Sequence, residues 1–241
     1  MNDELTRKHE GHVTHLTLNR PQKANALSAS LVEALLNAVE YAYTDGTRLM
    51  LIDGAGPHFC AGFDFTDYQT ASEGELALRF LRIETLLQHV HHAPFETLVF
   101  AHGRVFGAGA DLVCACGVRV AAPGTTFRLP GLRFGLVLGT RRLAHRIGGD
   151  HARGILAASR TFDAAEAHEL RFLTHLVPQA EWPAFAARMR AECELLAPGA
   201  AAALHRQTIV DTRADDMAAL AASVSVPGLK ERMRRFREAN P

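Results

Sequence analysis

Apolar residues in the first half of the chain form short runs separated by stretches of helical spacing. Residues 12–18 alternate between polar and apolar side chains, which predicts a half-buried strand. Mainly apolar runs predict buried strands at 49–52 and 97–101, and another strand is predicted at 118–121. Helices are predicted between them, one beginning after Ser28 as N-cap and others over 76–90 and 107–116. Strands interleaved with helices are typical of an α/β domain.

After Gly139 the pattern becomes helical. Asp163 is a candidate N-cap, and further helices are predicted over 181–196, from Ala200 onward, and as a basic amphipathic tail from Gly228. The sequence shows no internal repeat or linker. We therefore predict an α/β core over residues 1–185 and a C-terminal helical region over residues 186–241.

Charge and composition narrow the class of protein. The 26 basic and 26 acidic residues balance, which argues against a general nucleic-acid or anionic-membrane binder. The first residues, MNDELTRKHEG, lack an apolar signal segment, and no apolar run approaches the ~18 residues of a membrane span. Four cysteines are few for a disulfide framework, and the pair Cys114 and Cys116 lacks zinc-ligand spacing. These features predict a cytoplasmic protein with reduced, buried thiols, and with no metal, nucleic-acid or membrane partner.

A glycine-rich turn follows the apolar run at 97–101, in the segment LVFAHGRVFGAGADL over 98–112. The N-terminus of the helix that begins there favours an anion, either a phosphate or a developing oxyanion. The glycine spacing differs from G-x-G-x-x-G, and the P-loop and hydrolase-elbow signatures are absent. Close helix packing is the structural alternative for these glycines. A second small-residue turn at 58–64 also follows a strand, and the two turns together could direct two N–H groups at one carbonyl oxygen.

Three segments carry a family resemblance: RPQKANALS at 20–28, FCAGFD at 59–64 and HGRVFGAGADL at 102–112. In this order they resemble the motifs of the crotonase (enoyl-CoA hydratase/isomerase) superfamily, and residues 162–178 resemble its later helix and strand. The similarity covers roughly residues 10–240. It implies a ββα spiral with a C-terminal helical trimerisation region, and assembly into homotrimers or hexamers. It also implies an acyl-CoA substrate, a role in fatty-acid metabolism and no permanently bound cofactor, since coenzyme A is part of the substrate.

The same resemblance implies the site residues. The backbone N–H groups of Phe63 and Ala108 would hold the thioester oxygen of an enolate, although the family usually has glycine where Ala108 stands. Asp111 falls at the first of the two hydratase glutamates and is the implied acid/base. For Arg20 and Lys23 a phosphate contact and a solvated charge both remain open, and Asp64 is weighed mostly as a structural turn residue. The residues implied to line the coenzyme A channel are Arg20, Lys23, Ala24, Ala26, Leu27, Ala61 and Asp64.

The sequence departs from the hydratase pattern at the second glutamate. The family's Pro-Glu pair is here Pro130-Gly131, and residues 112–149 contain no Asp or Glu. Because each acid/base group supplies typically ~10²–10⁴-fold, we expect a poor conventional hydratase. Single-base enolate chemistry, such as double-bond isomerisation, remains open, and the enzyme is a lyase or an isomerase. The alternatives are a catalytically weak or inactive CoA-thioester-binding homologue and, from another class, a nucleotide-binding regulator.

Two clusters of basic residues raise further hypotheses. One of Arg128, Arg133 and Arg141 could bind a carboxylate on the acyl group, whereas ion pairing with helices or neighbouring subunits is the structural alternative. A second cluster lies near the end of a predicted helix. There the helix dipole favours a cationic side chain, and we prefer this interpretation to a catalytic role. The cluster consists of His89, His91 and His92.

Overall fold

The computed structural model describes residues 4–197 and 199–239. Within these residues the strands are β1 (Leu5–Glu10), β2 (Val13–Leu18), β3 (Leu49–Gly54), β4 (Glu96–Ala101), β5 (Arg104–Phe106), β6 (Val118–Ala121), β7 (Thr126–Arg128), β8 (Phe162–Asp163) and β9 (His175–Leu176). They form a six-stranded sheet in the order β1-β2-β3-β4-β6-β9 and a three-stranded sheet in the order β5-β7-β8. The pairs β1–β2 and β7–β8 are antiparallel, and the other pairs are parallel.

Helices connect and cover these strands. They are α1 (Ala29–Ala42), α2 (Glu73–His91), α3 (Ala108–Ala115), α4 (Thr140–Ile147), α5 (Gly149–Ala158), α6 (Ala164–Glu169), α7 (Trp182–Leu195), α8 (Ala200–Thr208), α9 (Arg213–Val224) and α10 (Leu229–Ala239). Short 3₁₀ helices span Pro21–Lys23, Gly131–Phe134 and Gln179–Glu181. The predicted α/β class is confirmed. Among the described residues, every helix is too short or too polar to cross a membrane.

The central strands of the large sheet are buried on both faces. On one face, Met50, Ile52 and Val99 belong to the main core with α1, α2 and α3. On the other face, Phe100 stacks on Trp182 of α7 with ring centroids 4.7 Å apart. Burial on both faces explains why β3 and β4 contain continuous apolar runs, at 49–52 and 98–101, rather than an alternating pattern.

The predicted elements agree with the structure where the hydrophobic signal is strong. The side chain of Ser28 accepts a hydrogen bond from the N–H of Leu31, and that of Asp163 accepts one from the N–H of Glu166, so both predicted N-caps are confirmed. The pattern does not predict β1, a polar edge strand whose side chains are mostly exposed. It also does not predict β5, β7 or β8, which are only two or three residues long. The division of the chain after residue 185 stays a prediction, and this boundary falls inside α7.

One buried asparagine fixes the loop between β2 and α1. The side chain of Asn25 is fully buried and donates to the carbonyl oxygens of Ala55 and His58, at 2.9 Å each. Its Oδ1 accepts from the backbone N–H of Arg20 at 2.7 Å. Asn25 also has φ +54, a left-handed conformation that asparagine tolerates better than most residues. The side chain of Asn25 therefore links the start of this loop to the segment over residues 55–58.

We expect Asn25→Ala to lower the free energy of unfolding by about 2–4 kcal/mol, because it leaves buried backbone groups unpaired and strains the left-handed φ. The measurement is chemical denaturation of the purified protein. Gln22→Ala, at an exposed position in the same loop, is the control and should change stability little. Equal stabilities for the two variants would contradict this view of the loop.

Candidate active site

Backbone hydrogen bonds join the three segments that carry the family resemblance. The N–H of Ala61 donates to the oxygen of Ala24 at 2.9 Å, and the N–H of Leu27 donates to the oxygen of Gly62 at 2.7 Å. On its other side, the 59–64 segment accepts at the oxygen of Cys60 a hydrogen bond from the N–H of Phe106, at 3.0 Å. The three segments are therefore adjacent, with 59–64 in the middle.

Two backbone amides in these segments are left without a carbonyl acceptor. Ala108 is the first residue of α3, so its N–H has no partner within the helix. Around Phe63, the oxygen of Gly62 and the N–H of Asp64 both bond to Leu27, so the N–H of Phe63 points to the opposite edge of the chain. Among the loop, turn and cap hydrogen bonds of the described residues, neither amide is a donor.

Gly62 brings these two amides together. It has φ +89, and a Cβ placed on it would lie 2.6 Å from the oxygen of Phe106 and 3.2 Å from the nitrogen of Ala108. Only glycine fits both the conformation and the approach. The turn that carries the N–H of Phe63 is therefore pressed against the start of α3.

Asp111 lies one turn into α3 and is buried, with 4% of its surface exposed. Its Oδ1 has no hydrogen-bond partner among the described residues. Burial raises the pKa of Asp111 to about 8, the charge of Arg142 lowers it and the charge of Glu84 raises it. A carboxyl with such a pKa exchanges a proton readily near neutral pH.

A cavity of about 840 Å³ joins these groups. Both amide-bearing residues, Phe63 and Ala108, line it together with Asp111. Of the residues implied for coenzyme A binding, the lining includes Lys23, Ala26, Ala61 and Asp64, whereas Arg20, Ala24 and Leu27 lie outside it. The structure thus brings most of the sequence-predicted site residues to one cavity.

Arg20 has a different setting from the exposed Lys23. Its guanidinium is almost fully buried and pairs with Glu4 at 2.6 Å and with Asp64 at 2.8 Å, and it also donates to the oxygen of Ala26 at 2.5 Å. Asp64 additionally accepts from the hydroxyl of Thr66 at 2.6 Å, and its pKa is lowered despite burial by these hydrogen bonds and by Arg20. These contacts tie Arg20 and Asp64 to the surrounding loop, and the phosphate contact stays a prediction for Arg20 and Lys23.

The cavity beyond Phe63 has an aromatic wall. Phe63 stacks on Phe80 with centroids 4.3 Å apart and meets Phe65 edge-on at 5.2 Å. Phe134 lies 5.1 Å from Phe236 of α10, and both line the cavity. This wall is apolar, which suits a hydrocarbon group.

Residues 130–131 contribute no acid to the cavity. Pro130 and Gly131 both line it, and of the described lining residues only Asp64 and Asp111 carry a carboxyl. Since Asp64 is paired with Arg20, Asp111 is the one cavity-lining carboxyl without an ion-pair partner among the described residues.

The three candidate arginines for an acyl carboxylate are separated. Arg141 pairs with Asp216 of α9 at 2.6 Å, and Arg133 donates to the oxygen of Ala158; neither lines the cavity. Arg128 lines the cavity and donates to the oxygen of Ser159 at 3.0 Å. The predicted ion pairing is confirmed for Arg141, and the acyl-carboxylate hypothesis stays a prediction for Arg128.

Sequence reasoning missed a buried ion pair close to the site. Arg142 of α4 donates to both carboxylate oxygens of Glu84 on α2, at 2.8 and 2.5 Å, and both side chains are at most 2% exposed. The two residues are 58 positions apart, so no local pattern indicates their pairing. A glutamate within the apolar spacing of a helix was the only available signal.

The histidine cluster lies outside the cavity lining. The expectation of a cation is wrong for His91, because burial lowers its pKa to about 3. Its Nδ1 is 3.0 Å from the oxygen of Ala115, which fits a neutral ring that caps the end of α3.

Thiols and potential metal ligands are also accounted for. The four cysteines are free, with Cys60, Cys114 and Cys116 buried and Cys193 half-buried, so burial is confirmed for three of them. Within residues 4–197 and 199–239 there is no group of three or more His, Cys, Asp or Glu side chains placed to hold a metal ion.

Comparison with known proteins shows the family of the chain. The sequence profile of the family Enoyl-CoA hydratase/isomerase matches residues 8–227. The chain belongs to the enoyl-CoA hydratase/isomerase family. A protein of Bordetella parapertussis, described as a candidate enoyl-CoA hydratase/isomerase, has a crystal structure that superposes with a TM-score of 0.97. It is 47% identical, and the match covers 99% of each chain. The expected crotonase fold is thereby confirmed.

Curated members of the enoyl-CoA hydratase/isomerase family are more distant. The enoyl-CoA isomerase/hydratase fer4 of Mycosarcoma maydis is 29% identical over 180 residues, which cover 69% of this chain and 65% of that protein. Human enoyl-CoA hydratase domain-containing protein 2, a mitochondrial protein, is 30% identical over 174 residues, or 70% of this chain and 60% of its own length. The chain thus matches less than two thirds of the length of these relatives.

Gly139 provides a test of how Asp111 is placed. It caps α4 at φ +64, and a Cβ on it would collide with Oδ1 of Asp111. We expect Gly139→Ala to displace the carboxyl and to reduce acyl-CoA turnover by 10-fold or more, in line with the sensitivity of catalysis to ~1 Å shifts.

Gly199→Ala is the matched control. Gly199 has φ +77 at the start of α8, but nothing lies within 4 Å of a Cβ placed there. Both variants carry the backbone strain, so only the loss specific to Gly139→Ala reports on Asp111. Equal activities after correction for stability would refute this placement.

Proposed function

We propose that the protein processes acyl-CoA thioesters by proton transfer at an enolate, with the N–H groups of Phe63 and Ala108 as the oxyanion donors and Asp111 as the acid/base. One observation carries this proposal: Phe63 and Ala108, whose amides are not donors among the described loop, turn and cap hydrogen bonds, line the same cavity as Asp111, whose buried Oδ1 has no hydrogen-bond partner among the described residues. Membership in the enoyl-CoA hydratase/isomerase family supports a CoA thioester as the substrate.

In the proposed reaction, the thioester oxygen accepts hydrogen bonds from the N–H groups of Phe63 and Ala108. These donors are fixed by the backbone, so they stabilise the negative charge without reorganising as it develops. The methyl group of Ala108, where the family usually has glycine, leaves the N–H in place. This methyl group narrows the space beside the thioester.

A single carboxyl supports double-bond isomerisation better than hydration. The ionised Asp111 removes a proton from Cα of a β,γ-enoyl thioester, and the electron pair moves to the thioester oxygen as a dienolate. The same carboxyl then returns the proton to Cγ, which yields the α,β-enoyl thioester with no gain or loss of atoms. Hydration by two carboxyls would need a second acid at position 131, which is glycine.

Substrate binding divides between two ends of the cavity. We place the coenzyme A portion along Lys23, Ala26 and Ala61, with no permanently bound cofactor. The acyl group lies against the phenylalanine wall, which favours an apolar acyl chain. Family membership supports assembly into homotrimers or hexamers and a cytoplasmic role in fatty-acid metabolism, and these remain proposals.

A second candidate function follows from Gly131. With one family acid missing, the chain could bind CoA thioesters and turn them over weakly or not at all. Binding of acyl-CoA without measurable turnover across short, medium and aromatic enoyl thioesters would favour this candidate.

We expect Asp111→Asn to lower kcat by about 10²–10⁴-fold while coenzyme A thioesters still bind, because it removes the proton acceptor and keeps the shape. In the wild type the rate should rise with pH through about 8, since the base must be ionised. Asp150→Asn, at an exposed carboxylate in the first turn of α5, is the control. Full activity of Asp111→Asn would show that Asp111 is only a helix-terminal charge.

Gly131→Glu should add hydratase activity, by about 10-fold or more, because it supplies the missing second acid. Residue 131 has no positive φ, and a Cβ there would lie 3.2 Å from the backbone oxygen of Leu136, so that oxygen must shift by a few tenths of an ångström. Loss of enoyl-thioester absorbance in the presence of water measures hydration. Gly131→Gln has the same length without the acid, and equal rates for the two variants would count against this role of position 131.

A further inference from the structure

Glu84 and Arg142 form a buried pair that does not line the cavity but belongs to the surroundings of Asp111. Arg142 is on α4, whose cap residue Gly139 packs directly against Oδ1 of Asp111. Glu84 is on α2, which packs against both α1 and α3. The pair is therefore held by the same helices that enclose Asp111.

Arg142 and Glu84 bind mainly to each other. Both Nη atoms of Arg142 donate to the carboxylate of Glu84, and one of them also lies 3.5 Å from Asp216 of α9. Glu84 accepts a further hydrogen bond from Gln88 at 2.8 Å. The charge of Arg142 is thus matched by two carboxylates.

Two polar atoms in this region have no partner among the described residues: Nε of Arg142 and Oδ1 of Asp111. The two side chains also form no ion pair with each other, although each contributes to the electrostatic environment of the other. Asp111 therefore feels Arg142 through space rather than through a hydrogen bond.

We propose that Glu84 and Arg142 are positioning residues that set the protonation of Asp111: the carboxylate of Glu84 neutralises Arg142 and so withholds a positive charge from the catalytic carboxyl. This inference rests on the proposed function of Asp111. An unmatched Arg142 would lower the pKa of Asp111 and so make its carboxylate a weaker base toward Cα.

The charged and titratable groups around Asp111 lie on four helices, α2, α3, α4 and α9. Arg142 on α4 is the nearby cation, Glu84 on α2 is the opposing anion, and Cys114 is a buried thiol on α3 itself. On α9, Asp216 compensates Arg142 and is in turn paired with Arg141. Burial is the largest cause of the raised pKa of Asp111, and the charges of Arg142 and Glu84 act on it in opposite directions.

Glu84→Gln tests the proposal, because it keeps the shape and an acceptor oxygen but removes the charge. We expect the titration midpoint of Asp111 to fall from about 8 by roughly one pH unit, as for a charge removed within a partly buried network. The limb of the kcat/KM profile near pH 8 should move by the same amount and in the same direction.

A second readout separates this inference from the proposed function. The midpoint of Asp111 is measured by ¹³C NMR of aspartate-labelled protein, with Asp111→Asn used to assign the resonance, so no turnover is required. Full activity of Asp111→Asn would overturn the catalytic assignment alone. An unchanged or raised midpoint in Glu84→Gln would overturn the positioning role alone.

Two further variants control for structural effects. Glu33 of α1 accepts hydrogen bonds from Nε and Nη2 of Arg82 on α2, at 2.7 and 2.6 Å, and this pair is much more exposed. Glu33→Gln removes that carboxylate and should leave the midpoint of Asp111 unchanged. If Glu84→Gln does not fold, Asp216→Asn removes the second carboxylate on Arg142 and should lower the midpoint by a smaller amount. No shift in Asp216→Asn would then refute the proposal.

Discussion

Backbone hydrogen bonds between three loops are the constraint on which the site depends. The 59–64 loop is bonded to the Ala24–Leu27 segment on one side and to Phe106 on the other. The Ala24–Leu27 segment lies in the connection from β2 to α1, and Phe106 is the last residue of β5, so both sheets help to position the two amides. Because this network uses main-chain atoms, it tolerates many side chains but requires glycine at residue 62.

The fold was predictable where burial requires a recognisable run or spacing of apolar residues in the sequence. The strands β3 and β4 contain continuous apolar runs because both faces of the sheet are covered there, and the N-caps Ser28 and Asp163 are set by local hydrogen bonds. The edge strand β1 was not predictable, since its pairing with β2 requires no apolar side chains. The strands β5, β7 and β8 depend on long-range pairing, and two or three residues carry no periodicity.

The site was predictable only in part, for a physical reason. A backbone N–H has no sequence signature of its own, so Phe63 and Ala108 came from a family resemblance rather than from their residue types. Asp111 likewise came from the family resemblance, as the residue at the position of the first hydratase glutamate. The pairing of Glu84 with Arg142 was not, because a charged residue in a helical pattern ordinarily indicates a surface, and its partner lies on another helix.

The stacking of Phe100 on Trp182 has a practical consequence. Trp182 is the only tryptophan of the chain, and it lies on the face of the sheet covered by α7, whereas no residue of α7 lines the cavity. Intrinsic fluorescence will therefore follow the docking of α7 on the sheet and will be nearly silent when a ligand enters the cavity. Tryptophan fluorescence can therefore report on the folding of the sheet and α7 independently of events in the cavity.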